Sequence, residues 1–304
     1  MSYPLTAPIY TPSDKYGVRE REEGIAKARA IYDSFESEYK WKLELIRELC
    51  QGYETCVIIG NGPSLNDTDL SFIETTPSFG ANSIFLKYDQ LDFFPAFYVV
   101  EDHLVAEDRA ATINQLNKSI HLFPTYLGYC LDENANTVFY RHLPRKSYPD
   151  GFDFSEDAST NTFTGCTVTF SSLQLAYFFG FTRILLVGVD HSYKIPVDTS
   201  VNSSYGVGVL DMESDDPNHF DPSYFGKGLR WHDPQSDKME EAYRCGKAFL
   251  DKKGVEVINC TIGGKLEVFP RKSLEEALRG ANEKAPGPPV RLLEAFLHRT
   301  RQSS

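Results

Sequence analysis

Three sets of residues have the types and spacing to do chemistry. The first is the turn in CVIIGNGPSLN, residues 56–66, where Gly60, Asn61, Gly62 and Ser64 follow an apolar run. Closely spaced glycines let backbone N–H groups approach a phosphate, and a helix expected over 67–74 would add favourable partial charge. The same glycines also serve a tight strand-to-helix connection with no ligand at all. The dinucleotide fingerprint is incomplete: its third glycine would fall at Leu65, and the second strand offers Asn82 in place of an acid. A P-loop is excluded because no Gly-Lys-Ser or Gly-Lys-Thr follows.

The second set lies at the expected carboxyl ends of strands. Asn61 and Asn82 would end the first two strands, placed to hydrogen-bond a base, ribose or phosphate, or else to cap their turns. Glu101 and Asp102 close YVVEDH and suit a sugar hydroxyl, a metal, an acceptor, or the cap of the following helix. Asp190, His191 and Tyr193 in GVDHSY end a further apolar run, where an Asp beside a His suits ligand hydroxyls or the orientation of a catalytic group. The third set is His219 in NHF and His232 in RWHDPQSD. Imidazole titrates near neutral pH, so a histidine there suits proton transfer, with a cap or surface role as the alternative.

These residues need a scaffold. Short apolar runs at 56–60, 78–86, 96–100, 119–123, 183–189 and 255–260 are continuous rather than alternating, which predicts strands covered on both faces. Helical stretches are expected at 103–116, 168–179, 236–252 and 272–279. The fold class is therefore α/β, a Rossmann-like doubly wound, mostly parallel sheet that binds ligands at its carboxyl edge. Residues 1–50 read as an N-terminal helical arm, either one long helix or a broken pair, and 51–283 as the nucleotide-binding catalytic domain. Periodicity vanishes over about 191–235, and a stretch of that length inside a domain reads as a lid. Residues 284–304 form a linker, KAPGPP, and a short amphipathic basic helix suited to a dimer contact, a partner helix or an acidic membrane surface.

With 304 residues and a net charge of -12, the chain can bury a substantial core and lacks a general nucleic-acid footprint. Six cysteines without a CxxC pair suggest neither zinc nor a disulfide framework. No run approaches the roughly 20 apolar residues of a membrane span, and the N-terminus lacks the order of a signal peptide, so a cytoplasmic location is expected, including the inner face of the membrane.

GNGPSL after the first strand, Asn82 in the second-strand segment, TGCT before an apolar helix, GFTRILLVGVD, and a long lid with histidines together resemble the bacterial sialyltransferases of the Campylobacter type. They also resemble the polysaccharide-locus and flagellin-glycosylation proteins and the archaeal 6-hydroxymethylpterin diphosphokinases that share this core. The likeness covers roughly 56–276. It implies that Gly60, Asn61, Gly62, Ser64 and Asn82 hold the nucleotide, together with Thr164, Gly165 and Thr167. It implies His232 as catalytic base, five residues before Asp237. Tyr193, with Tyr205 or Tyr224, would stabilise the leaving phosphate, and Asp190 would support the catalytic group. Glu101, Asp102, His191, His219 and Tyr224 remain for the substrate.

The implied activity is an inverting, metal-independent glycosyltransferase that moves a CMP-activated sialic-acid-like keto sugar to a glycan or glycoprotein acceptor, without a bound cofactor. The alternatives are a diphosphokinase using ATP with Mg2+, held by Glu101, Asp102 and Asp190, and a non-catalytic nucleotide- or sugar-binding protein. A homo-oligomer is compatible with all three.

Overall fold

The computed structural model describes residues 15–143, 151–194, 199–201, 208–282 and 285–303; Tyr205 lies outside them. Seven strands build the central sheet: β1 (Thr55–Ile59), β2 (Ser78–Ala81), β3 (Phe97–Val99), β4 (Ile120–Pro124), β5 (Thr137–Tyr140), β8 (Arg183–Val187) and β12 (Glu256–Asn259). Their order is β12-β8-β1-β2-β3-β4-β5, and every neighbouring pair is parallel. The middle strands TCVII and RILLV are apolar along most of their length because both faces are covered, so nothing selects for alternation. β1 and β8 pair in register from Thr55 with Arg183 to Ile59 with Val187. Strand order reverses between these two, which opens a crevice at their carboxyl ends.

Four helices coincide with the expected stretches: α4 (His103–Ile113), α5 (Val168–Phe178), α6 (Ser236–Lys252) and α7 (Leu274–Leu278). Between β5 and α5 lies a small parallel pair, β6 (His142–Leu143) with β7 (Thr162–Phe163). β5 itself was not expected, since only the four residues TVFY mark it and they follow a polar turn.

Three expectations need correction. The helix behind the glycine turn does not form; 63–66 and 70–73 are separate 3-10 turns. Asp69 explains the break, because its carboxylate accepts from the Ser71 N–H at 3.0 Å and from the Ser71 hydroxyl at 2.6 Å, restarting the chain. The run at 78–86 is a strand only to Ala81, where Asn82 turns the backbone with a φ of +49°. The stretch over 191–235 is not structureless: β9 (Thr199–Val201), β10 (Val209–Met212) and β11 (Arg230–His232) form an antiparallel sheet of their own.

The N-terminal helices are a broken series, α1 (Val18–Asp33), α2 (Phe35–Glu38) and α3 (Lys40–Leu49), and they join the main core. Phe35, Tyr39, Leu43 and Ile46 are buried in it, Tyr39 edge-on to Phe139 at 5.5 Å. The last helix, α8 (Val290–Ser303), packs on α3. Leu292 and Phe296 are buried there and Arg299 pairs with Glu48 at 3.3 Å, so the apolar face that the sequence offered to a membrane or partner is a contact within this chain. No described helix is long and apolar enough to cross a membrane.

Candidate functional site

A cavity of about 320 Å3 opens over the carboxyl ends of β1, β2, β3 and β8, with Trp231 and His232 of β11 in its wall. It occupies the crevice where strand order reverses. Of the sixteen described residues singled out for the site in the sequence, fourteen line it; Ser64 and Gly165 do not.

The glycine turn serves the protein's own backbone first. The Gly60 N–H donates to the Val187 carbonyl at 2.7 Å and the Gly62 N–H to the Gly188 carbonyl at 2.8 Å. A Cβ on Gly60 would lie 2.4 Å from the Gly188 oxygen, and one on Gly62 would lie 2.0 Å from the Asp190 carboxylate. Asp190 fills that space and accepts from the Ser64 hydroxyl at 2.6 Å and the Ser64 N–H at 3.3 Å. The glycines thus let β1 and the end of β8 touch. The Ser64 hydroxyl, expected on the nucleotide, is directed at Asp190.

The helix N-terminus missing behind that turn is supplied elsewhere. Thr167 caps α5, accepting from the Thr169 N–H at 3.3 Å, and Thr164, Thr167, Val168 and Thr169 all reach the cavity wall. The first turn of a helix carries unpaired N–H groups and partial positive charge, so this is the anion-friendly side of the cavity. Gly165 is needed for packing, because a Cβ there would meet the Phe170 ring at 2.3 Å.

Asn61 donates through Nδ2 to the Ala81 carbonyl at 3.1 Å, which fixes its amide orientation. Its Oδ1 and that of Asn82 are buried with no hydrogen-bond partner among the described residues. Each unmade bond costs about 1–3 kcal/mol, so two acceptors left open at adjacent strand ends suit a ligand bearing donors there.

Beyond β3 the paired acids diverge. Glu101 turns inward, accepting from the Ser171 hydroxyl at 2.7 Å, with His142 Nε2 at 3.2 Å from its other oxygen. Asp102 caps α4, accepting from the Leu104 N–H at 2.8 Å, and lies 3.5 Å from His232 Nε2. Burial works against charge on both partners. The Asp102 carboxylate nonetheless raises the His232 pKa, while His232 and His103 hold Asp102 well below the usual carboxylate range.

A second His–Asp pair was not foreseen. His219 Nδ1 is 2.7 Å from Asp216, a buried carboxylate that also accepts from the N–H groups of Asn218 and Phe225. The His219 ring stacks on Tyr224 at 4.0 Å. His191, at a φ of +50°, approaches Glu240 at 3.8 Å, and burial lowers its pKa. The Tyr193 hydroxyl rests on the Met239 sulfur at 3.7 Å, and burial raises its pKa.

His232 is held by its own strand. Arg230, two residues earlier and on the same face of β11, pairs with Glu107 at 2.8 Å and Asp108 at 2.6 Å on α4. Arg109 on α4 donates to the Ser223 carbonyl at 2.7 Å, and the Phe220 N–H donates to the Asn61 carbonyl at 2.9 Å. Arg230, Glu107, His103 and Asp216 escaped the sequence reading. The alternation in Arg-Trp-His, charged outside an apolar centre, was the available signal for the first.

Fold and cavity together define a parallel α/β protein with a cavity over the carboxyl ends of the strands, where their order reverses. The chain belongs to the MptE-like family: residues 30–196, more than half its length, match the family described as 6-hydroxymethylpterin diphosphokinase MptE-like. Neither a curated protein nor a solved structure matches the chain.

Proposed function

We propose that the protein is an inverting glycosyltransferase in which His232 deprotonates an acceptor hydroxyl. The observation that carries this reading is the His232–Asp102 pair in the cavity wall, 3.5 Å apart. A carboxylate beside an imidazole orients the ring and stabilises the imidazolium that forms when it takes a proton, and catalytic contacts of this length tighten around substrate. The acceptor oxygen bonds to the anomeric carbon as the carbon–oxygen bond to the donor's phosphate breaks. The electron pair leaves with the nucleotide, and the proton passes to His232.

The donor favoured is a CMP-activated, sialic-acid-like keto sugar, in keeping with the sialyltransferase resemblance. Its ribose hydroxyls and cytosine amine supply the donors that Asn61 Oδ1 and Asn82 Oδ1 lack. The departing phosphate then has the N-terminal turn of α5 to receive its growing charge. With the donor bound, β11 of the lid, which lines the cavity through Trp231 and His232, would shield it from water that otherwise hydrolyses it. A surface glycan or glycoprotein is the acceptor in this reading.

The family description favours diphosphate transfer from ATP as the second reading. That reaction draws on a divalent cation held by oxygen ligands. The three carboxylates expected for it, Glu101, Asp102 and Asp190, do not form such a group: among the described residues the one cluster of metal-capable side chains within 4.8 Å is Asp102, His103 and His232.

Thermal unfolding with a nucleotide panel in chelating buffer tests the proposal. CMP is expected to raise the melting temperature without magnesium, and His232→Ala to keep that shift while losing transfer about 10²–10⁴-fold. Stabilisation by ATP with magnesium alone would establish the diphosphokinase instead. Loss on His219→Ala but not on His232→Ala would move the base to the second pair.

A further inference from the structure

We propose that Asp102, His103 and His232 form a binding site for one divalent transition-metal ion, with Zn2+ or Co2+ as representative occupants. One carboxylate oxygen and two imidazole nitrogens lie within 4.8 Å of one another, the one such group among the described residues. Two nitrogens and one oxygen are the donor set of borderline transition ions, whereas Mg2+ and Ca2+ take oxygens.

His103 decides between a metal site and a simple proton-accepting pair. The pair needs only Asp102 and His232, and the transfer reading assigns His103 no task. It is nevertheless the first residue of α4, directly after Asp102, with its ring 5.2 Å from that of His232 and tilted by 53°. Two ligands therefore come from one helix start and the third from the lid strand.

The spacing is close to what an ion requires. Bonds of about 2.0–2.2 Å put tetrahedral ligand atoms about 3.4 Å apart. Asp102 and His232, at 3.5 Å, already have that separation, and no other gap in the group exceeds 4.8 Å. The Leu104 N–H anchors Asp102, while the His232 side chain is 40% exposed and has room to move. Arg230 already clamps the same strand to α4, which limits the ordering that the ion must impose. All three ligands line the cavity, so the remaining coordination positions face solvent or a bound oxygen ligand.

Occupancy would take the lone pair that His232 needs as a base, making the ion an inhibitor of transfer. That consequence rests on the glycosyltransferase reading; binding itself does not.

The test uses the full, untagged chain stripped with chelator and titrated with Co2+, followed by visible absorption and by displacement with Zn2+. One saturable equivalent is expected, with a spectrum of nitrogen and oxygen ligation that millimolar Mg2+ leaves unchanged. His103→Ala should weaken binding at least tenfold, and His103→Gln, which keeps the side chain's bulk and polarity, should do the same without altering the melting temperature of the metal-free protein. Absence of saturable binding, unchanged affinity in both variants, or a near-ultraviolet thiolate band placing the ion on cysteine would overturn the proposal. Ion binding that leaves transfer untouched would instead remove His232 as the base while keeping the site.

Discussion

The Arg230 guanidinium lies 2.8 Å from the Glu107 carboxylate, with both side chains almost wholly withdrawn from solvent. Asp108 takes a second bond from the same guanidinium at 2.6 Å, and the Tyr129 hydroxyl completes Glu107 at 2.7 Å. This contact joins β11 of the lid to α4 of the main fold, and His232 follows two residues later.

Replacing Arg230 by Met should therefore be costly out of proportion to the volume changed. Glu107 would keep the Tyr129 hydroxyl and lose the Arg230 cation, and breaking a buried ion pair from one side costs about 3–5 kcal/mol. Urea denaturation is expected to show a loss of that order, with increased proteolysis near 208–232 as β11 loosens. A loss below about 1 kcal/mol would mean that the pair does not hold the lid.

The glycine turn yields a prediction in which space, rather than backbone angle, is the cause. Gly62→Ala pushes a methyl group onto the Asp190 carboxylate and should break its bond to Ser64, costing about 1–3 kcal/mol. Gly60→Ala should cost more, because the obstacle is the Gly188 carbonyl, which cannot swing aside. In an Asp190→Ala background the Gly62→Ala penalty should largely disappear while that of Gly60→Ala persists. Equal penalties for Gly62→Ala in both backgrounds, measured as a double-mutant cycle, would show that Asp190 is not the obstacle.

That turn also marks how far the sequence could be read. The apolar runs that became β1 and β8 were visible because burial on both faces leaves a continuous signature. Which strands lie side by side leaves no local trace, and the need for Gly60 and Gly62 arises from Gly188 and Asp190, well over a hundred residues away. A phosphate cradle was the natural local reading, and the long-range one was out of reach. His232 stood out through the sialyltransferase resemblance, which sets a histidine five residues before a helix start, but its partner Asp102 belongs to another strand end, and only the fold brings them to 3.5 Å. The lid sheet was missed because its strands span three or four residues each, too few for a period to register. β5 was lost for the same reason at the sheet edge.

His121 on β4 provides a test of the core that is independent of any ligand. It is buried between Tyr98 and Phe123, with ring centroids at 5.3 and 5.2 Å, and burial lowers its pKa from 6.5 to about 4. The folded state therefore keeps it neutral where the unfolded chain protonates it. Between about pH 4 and 6.5 the unfolded state binds the extra proton, so stability must rise with pH across that window and fall as pH drops through it. For this one group the full effect is on the order of 3 kcal/mol, reached near pH 4 and absent above about pH 7. His121→Phe should flatten this part of the pH–stability curve, whatever its effect at neutral pH, because no titrating group remains at that position. Urea denaturation of both proteins from pH 4 to 8 measures the difference in slope. Parallel curves for wild type and variant would mean that His121 is protonated in the folded protein and that the sheet admits water beside it.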